Sequence, residues 1–213
     1  MLVSDVVRRV RESAGDSAVL QFGNATLTDW INDAQRRCVE ENSLLQAAAE
    51  AVLSVDQNVY TLPEDIFKVH SVLVNNQNYL DLLTLDEFEA RNYDRTYKGS
   101  PAVGYIYAGK VTLYPIPDTA GTLNVNYTRS PKEIRYINDG TNEGYSPNNF
   151  EIPVAFHSRI VTYCLAQVAM QDDDYGKYQA LMQEFITGVV DLSHLKNQTE
   201  AAYPSITYVD WDC

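Results

Sequence analysis

The sequence has few of the residues that carry most metal and redox chemistry. It contains three histidines and three cysteines: His70, His157, His194, Cys38, Cys164 and Cys213. No histidine lies at metal-ligand spacing from another histidine or from a cysteine, and the cysteines form no CxxC motif. We therefore expect no zinc site and no cofactor, and we expect reduced thiols, two of them on apolar helical faces.

Long apolar runs and nucleotide-binding glycine patterns are also missing. No apolar run approaches the roughly 18 residues that a membrane span needs. The GxGxxG, Walker and GxSxG patterns are absent, so neither nucleotide binding nor serine-hydrolase chemistry is supported. The chain has 213 residues, 45% of them hydrophobic, and a mean hydropathy of -0.28. These values indicate a globular protein of one domain, or of one domain with a large insertion, and no membrane partner.

Basic residues are scarce relative to acidic ones. There are 16 lysines and arginines against 29 aspartates and glutamates, which gives a net charge of -13. Such a surface repels polyphosphate, so sequence-specific binding of DNA or RNA is disfavoured, although a nucleic acid could still pass without being bound. Arg8, Arg9 and Arg11 form the only basic cluster of the N-terminal helix. We interpret them as a solvated face paired with acidic neighbours.

Apolar residues recur at helical spacing at both ends of the chain. In residues 1–50 they are Val3, Val6, Val7, Val10, Leu27, Trp30, Ile31, Ala34 and Cys38, with Thr26 or Thr28 as the cap of the second helix. In residues 151–198 they are Ile152, Phe156, Ile160, Cys164, Val168, Tyr178, Leu181, Met182, Phe185, Val189 and Leu192. The sequence therefore predicts two helices in each of these segments.

The middle of the chain alternates with a period of two. Residues 51–135 are predicted to form an inserted antiparallel β-rich region with one short helix, which Thr84 and Glu87 begin as a capping box. Residues 136–150 are polar and contain glycines, and they are predicted to be a loop. The fold class is therefore α+β, with a helical bundle formed by the N- and C-terminal segments around the inserted sheet.

Residues 199–213 combine acidity with large apolar side chains. They include Pro204, three acids and no base. A free tail is normally polar, so this segment is predicted to be an extended arm that docks on another surface. Its candidate anchors are Tyr203, Ile206, Tyr208 and Trp211. The 15 tyrosines of the chain also favour a protein that buries surface on association.

The triplet Asp172–Asp174 has two interpretations. Clustered carboxylates suit Ca²⁺ or Mg²⁺, but the triplet lacks the alternate spacing and the later glutamate of a calcium loop. Acids before Tyr175 suit the positive end of a following helix, so capping is favoured. A carboxylate-dependent hydrolase that uses these aspartates and His157 stays open as a hypothesis, although we expect no enzyme and therefore no catalytic residue.

Five segments, in this order and spacing, resemble the head-to-tail adaptor proteins of tailed bacteriophages, also called connector or head-completion proteins. They are LPEDIFKV at 62–69, GSPAVGY at 99–105, VTLYPIPD at 111–118, LNVNY at 123–127 and IPVAFH at 152–157. The similarity extends from the first helix to about residue 195.

The resemblance implies a structural virion protein that is made in the bacterial host cytoplasm and located at the portal vertex or neck. It implies a dodecameric ring of identical copies under the portal protein. Such a ring extends the DNA channel, through which DNA passes without sequence-specific binding, and it is a platform for tail or nozzle proteins. The arm is then expected to dock on the portal. An alternative within the virion is another tail component, such as a β-rich module that binds a glycan or a protein.

Overall fold

The computed structural model describes residues 1–16, 21–140 and 143–202, with side chains described as far as Leu192. The helices of these residues are α1 (Val3–Ala14), α2 (Asn24–Asn42), α3 (Leu85–Ala90), the short 3-10 helix η1 (Val154–Phe156), α4 (His157–Gln171) and α5 (Tyr175–Ala202). The strands are β1 (Gln46–Leu53), β2 (Val59–Thr61), β3 (Ile66–Val74), β4 (Asn78–Tyr79), β5 (Asp81–Leu83), β6 (Lys98–Gly99), β7 (Val103–Tyr107), β8 (Lys110–Tyr114), β9 (Ile116–Pro117), β10 (Gly121–Arg129), β11 (Arg135–Asn138) and β12 (Glu143–Ser146). The predicted α+β class is confirmed.

The chain divides into two compact units. Unit 1 comprises Met1–Asn42 and the described residues from Pro131 onward, and unit 2 comprises Ser43–Ser130. Unit 1 therefore contains α1, α2, α4, α5 and the β11–β12 hairpin, whereas unit 2 contains β1 to β10 and α3. None of the described helices is both long and apolar enough to cross a membrane.

In unit 1, α4 packs against α1, α2 and α5. The core of this unit consists of the apolar faces that the helical spacing predicts, including Val3, Val6, Val10, Leu27, Ile31, Cys38, Ile160, Cys164, Phe185 and Val189, all of them buried. Helix α1 ends at Ala14 and is capped by Gly15, whose φ of 74° is the left-handed conformation that glycine adopts without strain.

The helix boundaries depend on hydrogen bonds of polar side chains. Helix α2 begins at Asn24, so Thr26 and Thr28 are not its caps. The Thr28 hydroxyl instead donates to the Asn24 carbonyl oxygen at 2.6 Å, one turn back within the helix. The capping box at Thr84 and Glu87 is confirmed, because the Glu87 N–H donates to the Thr84 hydroxyl at 3.2 Å and the Thr84 N–H donates to the Glu87 carboxylate at 2.9 Å.

Unit 2 is built from two four-stranded sheets, with strand orders β1-β10-β3-β4 and β2-β8-β7-β5. Both sheets contribute to one core, which consists of Leu53, Tyr60, Leu62, Val72, Val74, Leu80, Val111, Leu113, Leu123, Val125 and Tyr127. The alternation of β10 places Leu123, Val125 and Tyr127 in that core, as the period of two predicts. Most strand pairs are antiparallel, but β5 pairs with β7 and β6 pairs with β9 in parallel.

Three local expectations are wrong. Strand β1 begins at Gln46 rather than after residue 50, because its alanines pair with β10 although alanine favours helices. The segment predicted as a loop contains the antiparallel hairpin β11–β12, in which Arg135 faces Ser146. For the β7–β8 turn the sequence predicts a three-residue loop at 108–110, but Lys110 begins β8 and the turn has two residues, Ala108 and Gly109, both with positive φ as a type I′ turn requires.

Candidate functional site

The predicted docking arm lies almost entirely outside the described residues. Helix α5 extends to Ala202, so the first four residues of the predicted arm, 199–202, are helical. The candidate anchors Tyr203, Ile206, Tyr208 and Trp211 are outside the described part of the chain. Their role stays a prediction.

The basic cluster of α1 does not form one solvated face. Arg8 is exposed and pairs with Glu12 at 2.9 Å, as predicted. Arg11, by contrast, is buried, with its guanidinium 2.6 Å from the Asp16 carboxylate. The interpretation of Arg11 as a solvated residue is therefore wrong, because α1 turns this side chain into the interior of unit 1.

Arg11 and Asp16 form the centre of a buried polar network. The second guanidinium nitrogen of Arg11 donates to the Phe22 carbonyl oxygen at 2.9 Å and to the Asn24 side chain at 2.8 Å. Asp16 in turn accepts from the N–H groups of Gln21 at 2.9 Å and Phe22 at 3.2 Å. These bonds connect the end of α1 to the beginning of α2.

A second buried polar network fixes the segment between β10 and β11 to α2. The Asn32 side chain donates to the Ile134 carbonyl oxygen at 2.8 Å and accepts from the Ile134 N–H at 2.9 Å. Gln35 donates to Asn32 at 3.0 Å and to the Lys132 carbonyl oxygen at 3.1 Å. Sequence reasoning missed both side chains, since polar residues in a helical pattern usually face solvent.

Asp174, the last residue of the aspartate triplet, caps α5. The Lys177 N–H donates to Asp174 at 3.0 Å, so the predicted capping role is confirmed. Asp172 accepts from the Gln21 side chain at 2.7 Å. Within the described residues, no group of three or more potential metal-ligating side chains is found.

His157 and the aspartate triplet are not brought together. His157 is the first residue of α4, and the triplet follows the last. The 15 residues of this helix separate the two groups by roughly 20 Å at 1.5 Å per residue. The hydrolase hypothesis required these groups at one site, and the helix places them at opposite ends.

His157 is a buried structural residue. Its Nε2 lies 3.1 Å from the Ile152 carbonyl oxygen, which can only accept, so we assign the ring proton to Nε2. The Phe150 ring packs against the imidazole, with the ring centroids 4.7 Å apart. Burial lowers the pKa of His157; the bond to Ile152 opposes this, and the amino group at Met1 adds to it.

The stability of the protein is expected to fall as the pH drops below about 6.5, in part because of His157. Its pKa is lower in the folded than in the unfolded state, so between the two values the unfolded chain binds the extra proton. Urea unfolding of wild type and His157→Gln at pH 7.5 and pH 5.5 measures this contribution. We expect the variant, which can still donate to Ile152, to lose less stability on acidification, and equal losses would contradict the assignment.

The two described cysteines are protected from reaction. Cys38 and Cys164 are buried and free of disulfides, in agreement with the prediction of thiols on apolar helical faces. Burial raises the pKa of Cys38 to about 12 and also raises the pKa of Cys164. The thiolate is the reactive form, so both residues serve packing.

Unit 1 has an apolar groove between α2 and α5 that no described residue covers. The groove has a volume of about 330 Å³ and is lined by Arg37, Glu40, Glu41, Phe185, Ile186, Val189 and Val190. Ile186 is 47% exposed and Val190 is 39% exposed, and the two residues lie one turn apart on the same face of α5. This surface has the apolar centre and charged border of a protein interface.

Unit 2 has a cluster of aromatic rings around α3. Phe88 lies near Tyr105, with ring centroids 4.7 Å apart, and Tyr93 stacks on Tyr114 at 4.3 Å. Tyr97 borders this cluster and is 56% exposed. The rings stack mainly on one another, so the cluster chiefly stabilises unit 2 and leaves a limited aromatic surface.

The described residues form two buried polar networks, a capped helix start and apolar surfaces suited to association. A family model described as SU10 adaptor protein matches residues 1–208 of the chain. No curated protein matches it. The match begins at the first residue of the chain, continues past the end of α5, and confirms the resemblance to phage head-to-tail adaptors. The chain therefore belongs to the SU10 adaptor protein family.

Proposed function

We propose that this protein is the head-to-tail adaptor of a tailed bacteriophage. It forms a dodecameric ring under the portal at the neck of the virion, extends the DNA channel, and provides the attachment platform for tail or nozzle proteins. It acts by assembly, without catalytic turnover. The observation that carries the proposal is the family match over residues 1–208.

The helices of unit 1 are suited to form the bundle of such a ring subunit. A ring requires two different surfaces on each copy, because each contact is heterologous and the rotation closes. The apolar groove at Ile186 and Val190 is one such surface, since its exposed side chains gain by leaving water. We therefore assign this groove to a contact with the neighbouring copy.

The acidity of the chain suits a channel through which DNA moves. Each copy carries a net charge of -13. An acidic wall offers few cations that could release counterions from the phosphate backbone, so it does not hold the DNA in place. The arginines of α1 are not expected to dominate that wall, because Arg11 is buried and Arg8 is paired with Glu12, which leaves Arg9 as the remaining exposed arginine of the cluster.

The C-terminal arm is proposed to dock on the portal through Tyr203, Ile206, Tyr208 and Trp211. Burying aromatic and branched side chains stabilises such a contact by about 25 cal/mol for each Å² removed from water. Ordering the arm opposes binding, so a few well-placed anchors must supply most of the affinity.

Removing the arm is expected to abolish docking while the fold is retained. A truncated variant stops at Ala202, the last residue of α5. Its binding to the cognate portal is compared with that of the full-length chain by sedimentation. We expect affinity to fall at least about a hundredfold, because several anchors are lost together, with an unchanged unfolding temperature. A matched control keeps the full length and replaces the four anchors with serine. Normal docking of either variant would refute the role of the arm.

A second candidate function is a tail component that binds a glycan or a tail protein. Three exposed tyrosines of unit 2 favour it, because sugar rings stack on aromatic faces: Tyr79 is 71% exposed, Tyr107 is 63% exposed and Tyr97, beside Tyr114, is 56% exposed. The position of the protein in the particle separates the two functions. Density at the portal vertex supports the adaptor, and density at the distal tail supports the second candidate.

A further inference from the structure

Strand β1 is an open sheet edge in unit 2. It is the outermost strand of its sheet, and its only strand partner among the described residues is β10. All eight residues pair in unbroken register, from Gln46 opposite Thr128 to Leu53 opposite Gly121. The strand contains no proline and no lysine, and Glu50 is its only charged residue. Edge strands are normally blocked by such residues or by a bulge, and β1 has none of these apart from that one glutamate.

The hydrogen-bond pattern between β1 and β10 shows which backbone groups of β1 have no strand partner among the described residues. The Arg129 N–H donates to the Leu45 carbonyl oxygen at 3.1 Å. Because hydrogen-bonded pairs alternate along an antiparallel ladder, the odd-numbered residues of β1 direct their N–H and C=O groups toward β10. The even-numbered residues of β1 direct their N–H and C=O groups away from β10; these residues are Gln46, Ala48, Glu50 and Val52. Four consecutive even positions therefore offer N–H and C=O groups to an added strand.

An apolar groove lies beside this edge. It has a volume of about 240 Å³ and is lined by Ala49, Glu50, Ala51, Tyr60, Thr61, Leu62, Pro63, Val111, Leu123 and Val125. The small side chains of Ala49 and Ala51 leave this space between β1 and β2. Core residues of both sheets, such as Val111 and Leu123, reach its floor. Inward-facing side chains of an added strand would fill it.

The other edges of these sheets are poorly suited to binding a strand. At the opposite side of the same sheet, β4 has only two residues. Strands β2 and β5, at the edges of the second sheet, have three residues each. Most of β3 extends beyond β4, but that stretch contains Lys68 and two register shifts against β10, and both features block an edge. Among the described edges of the two sheets, β1 is therefore the one suited to an added strand.

The sequence after α5 contains a segment suited to this edge. Residues 205–211 read SITYVDW, a run rich in β-branched and aromatic residues without proline, glycine or lysine. Ile206 and Tyr208 alternate with Thr207 and Val209, so one face of a strand would present an isoleucine and a tyrosine to the groove. At about 3.3 Å per residue the seven residues reach roughly 23 Å, close to the roughly 26 Å of β1.

We propose that residues 205–211 of a second copy of this chain bind to β1 as an added β-strand. Main-chain hydrogen bonds to Gln46, Ala48, Glu50 and Val52 supply affinity, and the groove beside Ala49 and Ala51 selects the side chains. The inference rests on the proposed function, because it gives the docking arm a binding site on a neighbouring copy before the arm meets the portal. The contact is heterologous, as a ring requires.

Photo-cross-linking of the full-length chain tests this contact. Tyr208 is replaced by p-benzoylphenylalanine, and equal amounts of isotopically light and heavy protein are mixed, irradiated and analysed by mass spectrometry. We expect cross-links between light and heavy chains that map to residues 46–53 or 60–63. Cross-links only within one chain, or only to other segments, would overturn the proposal.

A pair of substitutions at Ala48 provides the control. Ala48→Pro removes an outward N–H that the native sheet does not use, and proline is tolerated at such an edge position. Ala48→Ser keeps the N–H. We expect the cross-link yield to fall about tenfold in Ala48→Pro and to stay unchanged in Ala48→Ser, since a lost hydrogen bond and a blocked edge weaken binding by at least that factor. Equal yields in the two variants would refute the edge as the binding site.

The same variants separate this inference from the proposed function. Ala48→Pro retains the arm and its anchors, so it is expected to dock on the cognate portal as the wild type does. If the wild type docks but shows no cross-link to β1, the adaptor function stands and the strand contact is wrong. If the cross-link forms but neither the wild type nor the Ala48 variants bind the portal, the strand contact stands and the proposed docking on the portal is wrong.

Discussion

Replacing Arg11 with methionine is expected to lower the free energy of unfolding by about 3–5 kcal/mol. Methionine keeps most of the length and the apolar stem but leaves the Asp16 carboxylate buried without its cation. The Phe22 carbonyl oxygen and the Asn24 side chain also lose a donor. Urea unfolding followed by circular dichroism measures the loss.

Arg8→Met is the matched control, because it removes an arginine from the same helix. The Arg8–Glu12 pair is exposed, with 59% and 55% of the two side chains accessible to solvent. Exposed pairs contribute about 0–1 kcal/mol, so this variant should unfold nearly as the wild type does. Similar losses in the two variants would show that the buried network does not stabilise unit 1 as described. A double variant, Arg11→Met with Asp16→Ala, should recover part of the loss by removing the buried charge that Arg11 no longer neutralises.

Replacing Asn32 with leucine is expected to destabilise the protein by about 2–4 kcal/mol. The backbone N–H and C=O groups of Ile134 both bond to this one amide, and Ile134 is 2% exposed. Leucine has a similar volume but leaves both groups buried without partners, each at a cost of about 1–3 kcal/mol. Chemical denaturation again gives the magnitude.

Asn126→Ala is the control for this second variant. Asn126 donates to the Ser71 hydroxyl at 3.0 Å on an exposed face of the β10–β3 pair. Its removal should change stability by no more than about 0.5 kcal/mol, because water replaces the lost partner. If Asn32→Leu has an equally small effect, the Ile134 backbone must find other partners, and the role given to Asn32 is wrong. Asn32→Asp adds a further check, since it removes the donor to Ile134 and places a charge in a buried site.

Local patterns predicted the parts of the fold that depend on neighbours in sequence. The stripe of Val3, Val6 and Val10 predicted the buried face of α1, and Thr84 with Glu87 predicted the start of α3. These features need only three or four residues to form. The α+β class followed from the change of period along the chain.

Long-range contacts decided the parts that sequence reasoning missed. Asn32 and Ile134 are 102 positions apart, and nothing near either residue indicates the other. The alanines of β1 favour a helix locally, but pairing with β10 makes them a strand. The β11–β12 hairpin was not predicted, because its polar residues and glycines are typical of loops. The four anchor residues of the arm were singled out for their chemistry alone, since a docking residue is recognised only against its partner.

The unequal edges of the β1-β10-β3-β4 sheet have a consequence for growth of the assembly. One edge strand has eight paired residues and the other has two, so the proposed strand contact gives each copy one acceptor, at β1. A subunit with one acceptor and one donor segment polymerises in a single direction, and each addition consumes one site and presents another. Growth of this kind stops by itself only when the last donor reaches the first acceptor, and it continues into a filament if the rotation between copies never closes. The rotation angle between neighbouring copies would therefore limit the number of copies in the assembly.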